Sequence, residues 1–119
     1  MLAATWVVQE ARRAAEQHGC FATVGKLVVE PGGVNAVPSH VTAWLDARGA
    51  DQQAVHAAVE QVAAAVARVD GTVRQESWTP PTTFDAALVG RLSTLLDDAP
   101  VLPTAAGHDA GILSAAGVP

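Results

Sequence analysis

Along residues 3 to 18, Ala3, Val7, Ala11 and Ala14 return at helical spacing, and Glu10, Arg12, Arg13 and Glu16 fall on other faces. That period predicts an amphipathic helix, which Gly19 should stop. The next ten residues, FATVGKLVVE, are rich in β-branched side chains and predict a strand, ended by Pro31-Gly32-Gly33. A second strand is predicted over HVTAWLDAR, with Val41, Ala43 and Leu45 on one face and Thr42, Trp44 and Asp46 on the other. The two strands form a hairpin with a broad loop.

After Gly49 and Ala50, Asp51 is placed to cap the clearest helix of the chain, where Val55, Val59, Val62 and Val66 recur at steps of four, three and four. Gly71 should end it. TVRQESW alternates as a third strand would, halted by Pro80-Pro81. Past Thr83, Phe84, Leu88, Leu92 and Leu95 form one stripe of a further helix reaching toward Pro100, and a short helix is expected from Asp109. The order α-β-β-α-β with a helical tail predicts an α+β fold. It matches a two-layer, ferredoxin-like β-α-β-β-α-β sandwich lacking its first strand.

The chain has 119 residues, of which 50% are hydrophobic and 16% charged, as in a folded single-domain protein. Alanine and valine dominate the apolar fraction, Tyr is absent and Phe occurs twice, so a core of small side chains is expected. A net charge of −5 without a basic stripe argues against nucleic acid as a partner. No apolar run suits a membrane span and the N-terminus does not read as a signal peptide, so a cytoplasmic protein is expected. Cys20 is alone and reads as a buried, inert thiol.

Candidate chemistry is sparse. His18, His40, His56 and His108 follow no metal-ligand spacing, and no serine or cysteine sits in a nucleophile motif. His18 suits a helix C-terminus, where its charge would face the dipole favourably, and His56 a solvated helix position. The three Trp suit packing better than binding.

Three motifs in order change the picture: Thr23-Val24-Gly25, then Asn35-Ala36-Val37-Pro38, then Asp46-Ala47-Arg48, followed in register by AAGHDAGILSAAGVP. Together they resemble the lid, or dimerisation, domain and part of the C-terminal catalytic segment of M20-type metallohydrolases, the N-carbamoyl-L-amino-acid hydrolase and allantoate amidohydrolase group. Thr104 and Ala105 depart from that pattern, in which serine and glycine are usual.

The resemblance implies an incomplete lid over residues 1–80 and an incomplete catalytic-domain segment, a partial α/β unit, over 81–119. It implies that His108 is a metal ligand shaped by neighbouring Asp109, and that Asn35 and Arg48 hold a substrate carboxylate, for which a planar guanidinium is suited. Asn35 also suits a plain turn and Arg48 a solvated strand end. The implied cofactor is zinc, or manganese or cobalt, bound by the parent enzyme and not tightly by this chain. The implied partners are a small amide or ureido substrate and a second copy through the lid. The other ligands, the general base and the lid's first strand would belong to segments these residues lack, with further catalytic strands after Pro119. The chain alone is then expected to be inactive, with no catalytic residue of its own. A non-catalytic dimerisation or small-ligand-binding module is the alternative, and a complete ferredoxin-like regulatory domain a third reading.

Overall fold

The computed structural model describes residues 1–104 and 106–118. Its elements, in chain order, are α1 (Leu2–His18), β1 (Phe21–Glu30), β2 (His40–Arg48), α2 (Gln52–Ala67), α3 (Ala86–Leu95) and α4 (Asp109–Ala115). Among the described residues the sheet has two strands, so the fold is of the expected α+β class. Two compact units are distinguished, Met1–Trp78 and Thr79–Pro119.

In the first unit α1 ends on Gly19 in the left-handed region (φ 69°), whose N–H bonds to the Ala15 carbonyl. Glycine meets that conformation without steric cost, which is why the apolar period stops there. At the start of α2 the Asp51 carboxylate accepts from the Gln53 N–H at 2.8 Å, the expected cap.

The core lies between these two helices and one end of the hairpin. Ala11, Ala14 and Ala15 of α1 meet Val55, Ala58 and Val62 of α2, with Cys20 buried beside them. Ala22, Leu45 and Ala47 close the layer from the strands. The buried stripe of α2 is Val55, Ala58, Val62 and Ala65, and the expected Val59 and Val66 are only half-buried. Alanine on both helices allows their axes to approach closely, so the contact runs along the small residues rather than along the valines. His18 Nε2 lies 3.0 Å from Gln61 Oε1, a hydrogen bond that ties the end of α1 to α2.

β1 and β2 pair antiparallel from Phe21↔Arg48 to Glu30↔His40, with a bulge between Val24 and Lys26. The extra residue, Gly25, reverses the facing of everything after it. Ala22, Val24, Leu27 and Val29 thereby share the helix side with their partners Ala47, Leu45, Ala43 and Val41. Lys26 and Val28 turn to the outer face, where Lys26 Nζ sits 4.2 Å from the centre of the Trp44 ring. Unbroken alternation would have aimed Lys26 at the helices.

The expected third strand does not form. Residues 72–78 carry no regular structure and are exposed. Alternation gives a segment a face, but a strand also needs a neighbour for its N–H and C=O groups, and no ladder reaches this one. α2 also stops earlier than expected, at Ala67, with the Gly71 N–H returning to the Val66 carbonyl at 3.0 Å.

In the second unit Asp85 caps α3 by accepting from Leu88 N at 2.7 Å. The helix ends at Leu95 instead of continuing toward Pro100, because Asp97 and Asp98 adopt positive φ (55° and 57°). The Ser93 hydroxyl then donates to the Ala99 carbonyl at 2.8 Å, closing the turn. No described residue of 79–119 is buried, and Leu95, Leu102 and Ile112 keep 75%, 78% and 69% of their surface in contact with solvent. No helix among the described residues is long and apolar enough to cross a membrane.

Candidate functional site

On the outer face of the hairpin, away from the helices, strand alternation places Phe21 and Thr23 beside their partners Arg48 and Asp46. With Gly25 these residues line a shallow depression of about 390 Å³. Asp46 and Arg48 are two apart on one strand, so both project from this face. Arg48 donates from Nε to Asp46 Oδ1 at 2.8 Å and from NH2 to Oδ2 at 2.6 Å, a bidentate pair. Those hydrogen bonds hold the Asp46 carboxyl below the ordinary carboxylate range, against partial burial, with charge attraction a smaller aid. Roughly half of each side chain remains exposed (51% and 53%). The fork geometry that suits a ligand carboxylate is therefore present, and an internal carboxylate holds one edge of it.

Asn35 occupies the turn of the 31–39 loop, where the Ala36 N–H returns to the Gly33 carbonyl at 3.4 Å, and it is exposed. It lies beyond the Glu30↔His40 end of the ladder, whereas Arg48 sits at the Phe21 end. At the usual rise, the strand between His40 and Arg48 spans about 27 Å. Asn35 and Arg48 thus flank opposite ends of the hairpin and are not brought together.

His108 belongs to the second unit, at the N-cap of α4, exposed and without a side-chain capping bond. Its ring stacks on Phe84 with centroids 6.1 Å apart and planes within 9°. Asp109 opens the helix, where an acidic side chain complements the dipole. Thr104 Oγ1 accepts from the Ala106 N–H at 3.1 Å, shaping the approach to His108, and Ala105 lies outside the described residues. Among the described residues no group of three or more His, Cys, Asp or Glu is gathered as a metal would require. His108 and Asp109 do not by themselves fit a zinc ion, which takes three or four ligands.

Two contacts were not read from the sequence. His56, expected to be merely solvated, stacks on Trp78 with centroids 4.2 Å apart. The Lys26–Trp44 contact depends on the bulge, which alternation conceals. Asp46 and Arg48 were joined in the sequence only as the D-x-R end of a strand; their i, i+2 spacing on one strand face is the signal that could have given the pairing. Burial pushes the Cys20 thiol up, as an inert core cysteine requires.

No family model, curated protein or solved structure matches the chain.

Proposed function

We propose that this chain is part of a metal-dependent amidohydrolase acting on linear amide or ureido C–N bonds, such as those of N-carbamoyl-L-amino acids or allantoate. Its first unit is the greater part of a ferredoxin-like lid, and its second the start of a returning catalytic segment. The observation that carries the reading is the Asp46–Arg48 fork on the exposed hairpin face, the D-x-R element of the resemblance. Arg48 binds the substrate carboxylate there, exchanging or sharing its internal partner. Phe21 and Thr23 form the adjoining floor. Asn35, at the far end of the hairpin, would meet that carboxylate only after the loop folds back or from a second copy.

The second unit supports the same reading. A segment that buries none of its described residues is far from the closed apolar core an autonomous domain needs. His108 supplies one ligand, and the remaining donors come from other segments. No step of the reaction is assigned to the chain alone.

The test is functional rescue. Purified chain incubated with zinc and N-carbamoyl-L-alanine should release no ammonia, and mixing with a separately produced portion carrying the other metal ligands should restore release. Chelator-sensitive turnover by the chain alone, or a competent mixture unaffected by His108→Ala, would refute the assignment. A second reading, a non-catalytic binding or dimerisation module, is favoured by the first unit having a core of its own. It gains if small carboxylates bind while no mixture is active.

A further inference from the structure

Around the start of β1, Cys20, Phe21 and Ala22 alternate so that the two small side chains face the helices and the aromatic ring faces out. Cys20 is buried and Ala22 packs on the core, whereas Phe21 keeps 73% of its surface in contact with solvent. The inner side has no room for a ring here: a Cβ on Gly49 would lie 3.1 Å from Cys20 Cβ and 3.0 Å from Val55 Cγ2. Packing explains why the ring is not inside. It does not explain why the outer position carries one of the two phenylalanines of the chain, since an uncovered ring contributes no burial.

The neighbours of the ring supply a reason. Phe21 is the cross-strand partner of Arg48, so their Cβ atoms stand about 5 Å apart on one face. Arg48 runs along its own strand to Asp46, held through both Nε and NH2. The guanidinium and Asp46 thus form one wall of the depression and Phe21 its large apolar wall, with Thr23 and Gly25 beyond. At Gly25 a Cβ would meet nothing within 4 Å, so that end stays open. The depression therefore combines a fork for a carboxylate, a ring beside the fork, and an open end next to a hydroxyl.

We infer that Phe21 is a specificity-determining residue of this site, selecting carboxylates whose α-carbon carries an apolar side chain of about leucine size. With the carboxylate on Arg48, an α-substituent directed across the sheet toward β1 rests on the Phe21 ring, and the contact removes apolar area of both partners from water. The ureido arm takes the Thr23–Gly25 end, where the threonine hydroxyl can donate and accept. A polar substituent of the same size loses water against the ring and gains no comparable hydrogen bond. This ranks N-carbamoyl derivatives of apolar amino acids above allantoate, whose α-carbon carries a second ureido group in place of an apolar chain. The inference rests on the carboxylate-binding reading of Arg48 and adds what that reading leaves open, the side chain of the substrate.

The probes are N-carbamoyl-L-leucine and N-carbamoyl-L-asparagine, nearly isosteric and identical in their carboxylate and ureido groups, with allantoate as the third. Each is titrated into the full chain and followed by NMR. The leucine derivative should bind about three- to tenfold more tightly than the other two, with the largest difference between ligands at Phe21. Phe21→Ala should bring the affinities level and Phe21→Leu should keep the preference, with the resonances of α1 and α2 unmoved in both variants. Equal affinities in the native chain, with binding still lost in Arg48→Ala, would overturn this inference and leave the carboxylate reading standing. A preference that survives Phe21→Ala would overturn it as well. No saturable binding of any probe, or binding indifferent to Arg48→Ala, would overturn both.

Discussion

Arg48 grips Asp46 through both Nε and NH2, at 2.8 and 2.6 Å, on a strand face turned away from the core. The pair is half exposed, so solvent screens it and its worth to folding is small, and its importance is for ligands. Asp46→Asn removes a competing charge and should raise affinity for small carboxylates severalfold, while Arg48→Lys, lacking the planar fork, should not preserve binding. Titration of both variants with N-carbamoyl-L-alanine by NMR checks this. The sign with pH follows from the depressed Asp46 carboxyl. Its stabilising contribution is complete above the ordinary aspartate value of about 3.9 and is lost as pH falls through the lower folded-state value. Acid unfolding of Asp46→Asn should therefore lack that small component.

The alanine contact between α1 and α2 leaves no room for growth. Ala14 is fully buried and Ala58 is 1% exposed. Ala14→Leu should destabilise the chain by about 1–3 kcal/mol through overpacking, read as a lower urea midpoint with an unchanged slope. A neutral result would mean that the helices separate at little cost.

Gly71 is held by close approach. A Cβ there would lie 2.6 Å from Val66 Cγ1 and 3.1 Å from the Val66 carbonyl oxygen. Because valine on a helix is stiff at χ1, Gly71→Ala should cost about 1–3 kcal/mol and free the start of 72–78, visible as a lower melting temperature.

Cys20 is 8% exposed and its thiol is pushed up by burial. It should react with a thiol reagent at neutral pH far more slowly than in urea-unfolded chain. Equal rates would contradict its place in the core.

Much of this fold could be read from patterning. The helix stop at Gly19, the cap at Asp51 and the two strand spans are written in local residue types, and each was found where local physics places it. What could not be read depends on partners distant in sequence. Residues 72–78 have a strand's alternation and no ladder, since pairing is a property of the neighbour. The bulge at Gly25 decides which way Lys26 faces; a glycine inside FATVGKLVVE is its one local signal, and simple alternation passes over it. The burial of Ala58 and Ala65 ahead of Val59 and Val66 follows from how closely two alanine-rich helices approach. For the site, Asp46-x-Arg48 was legible as the end of a strand, whereas the stacking of His56 on Trp78 required a segment that lacks regular structure to fold back.

The most direct test of the carboxylate-binding role is a resonance-resolved titration of the intact chain with N-carbamoyl-L-alanine, repeated with Arg48→Ala. Saturable shifts centred on Phe21, Thr23, Asp46 and Arg48, weakened at least about tenfold by the substitution, are the expected result. Absence of saturable shifts on that face, or shifts that survive loss of the guanidinium, would contradict it.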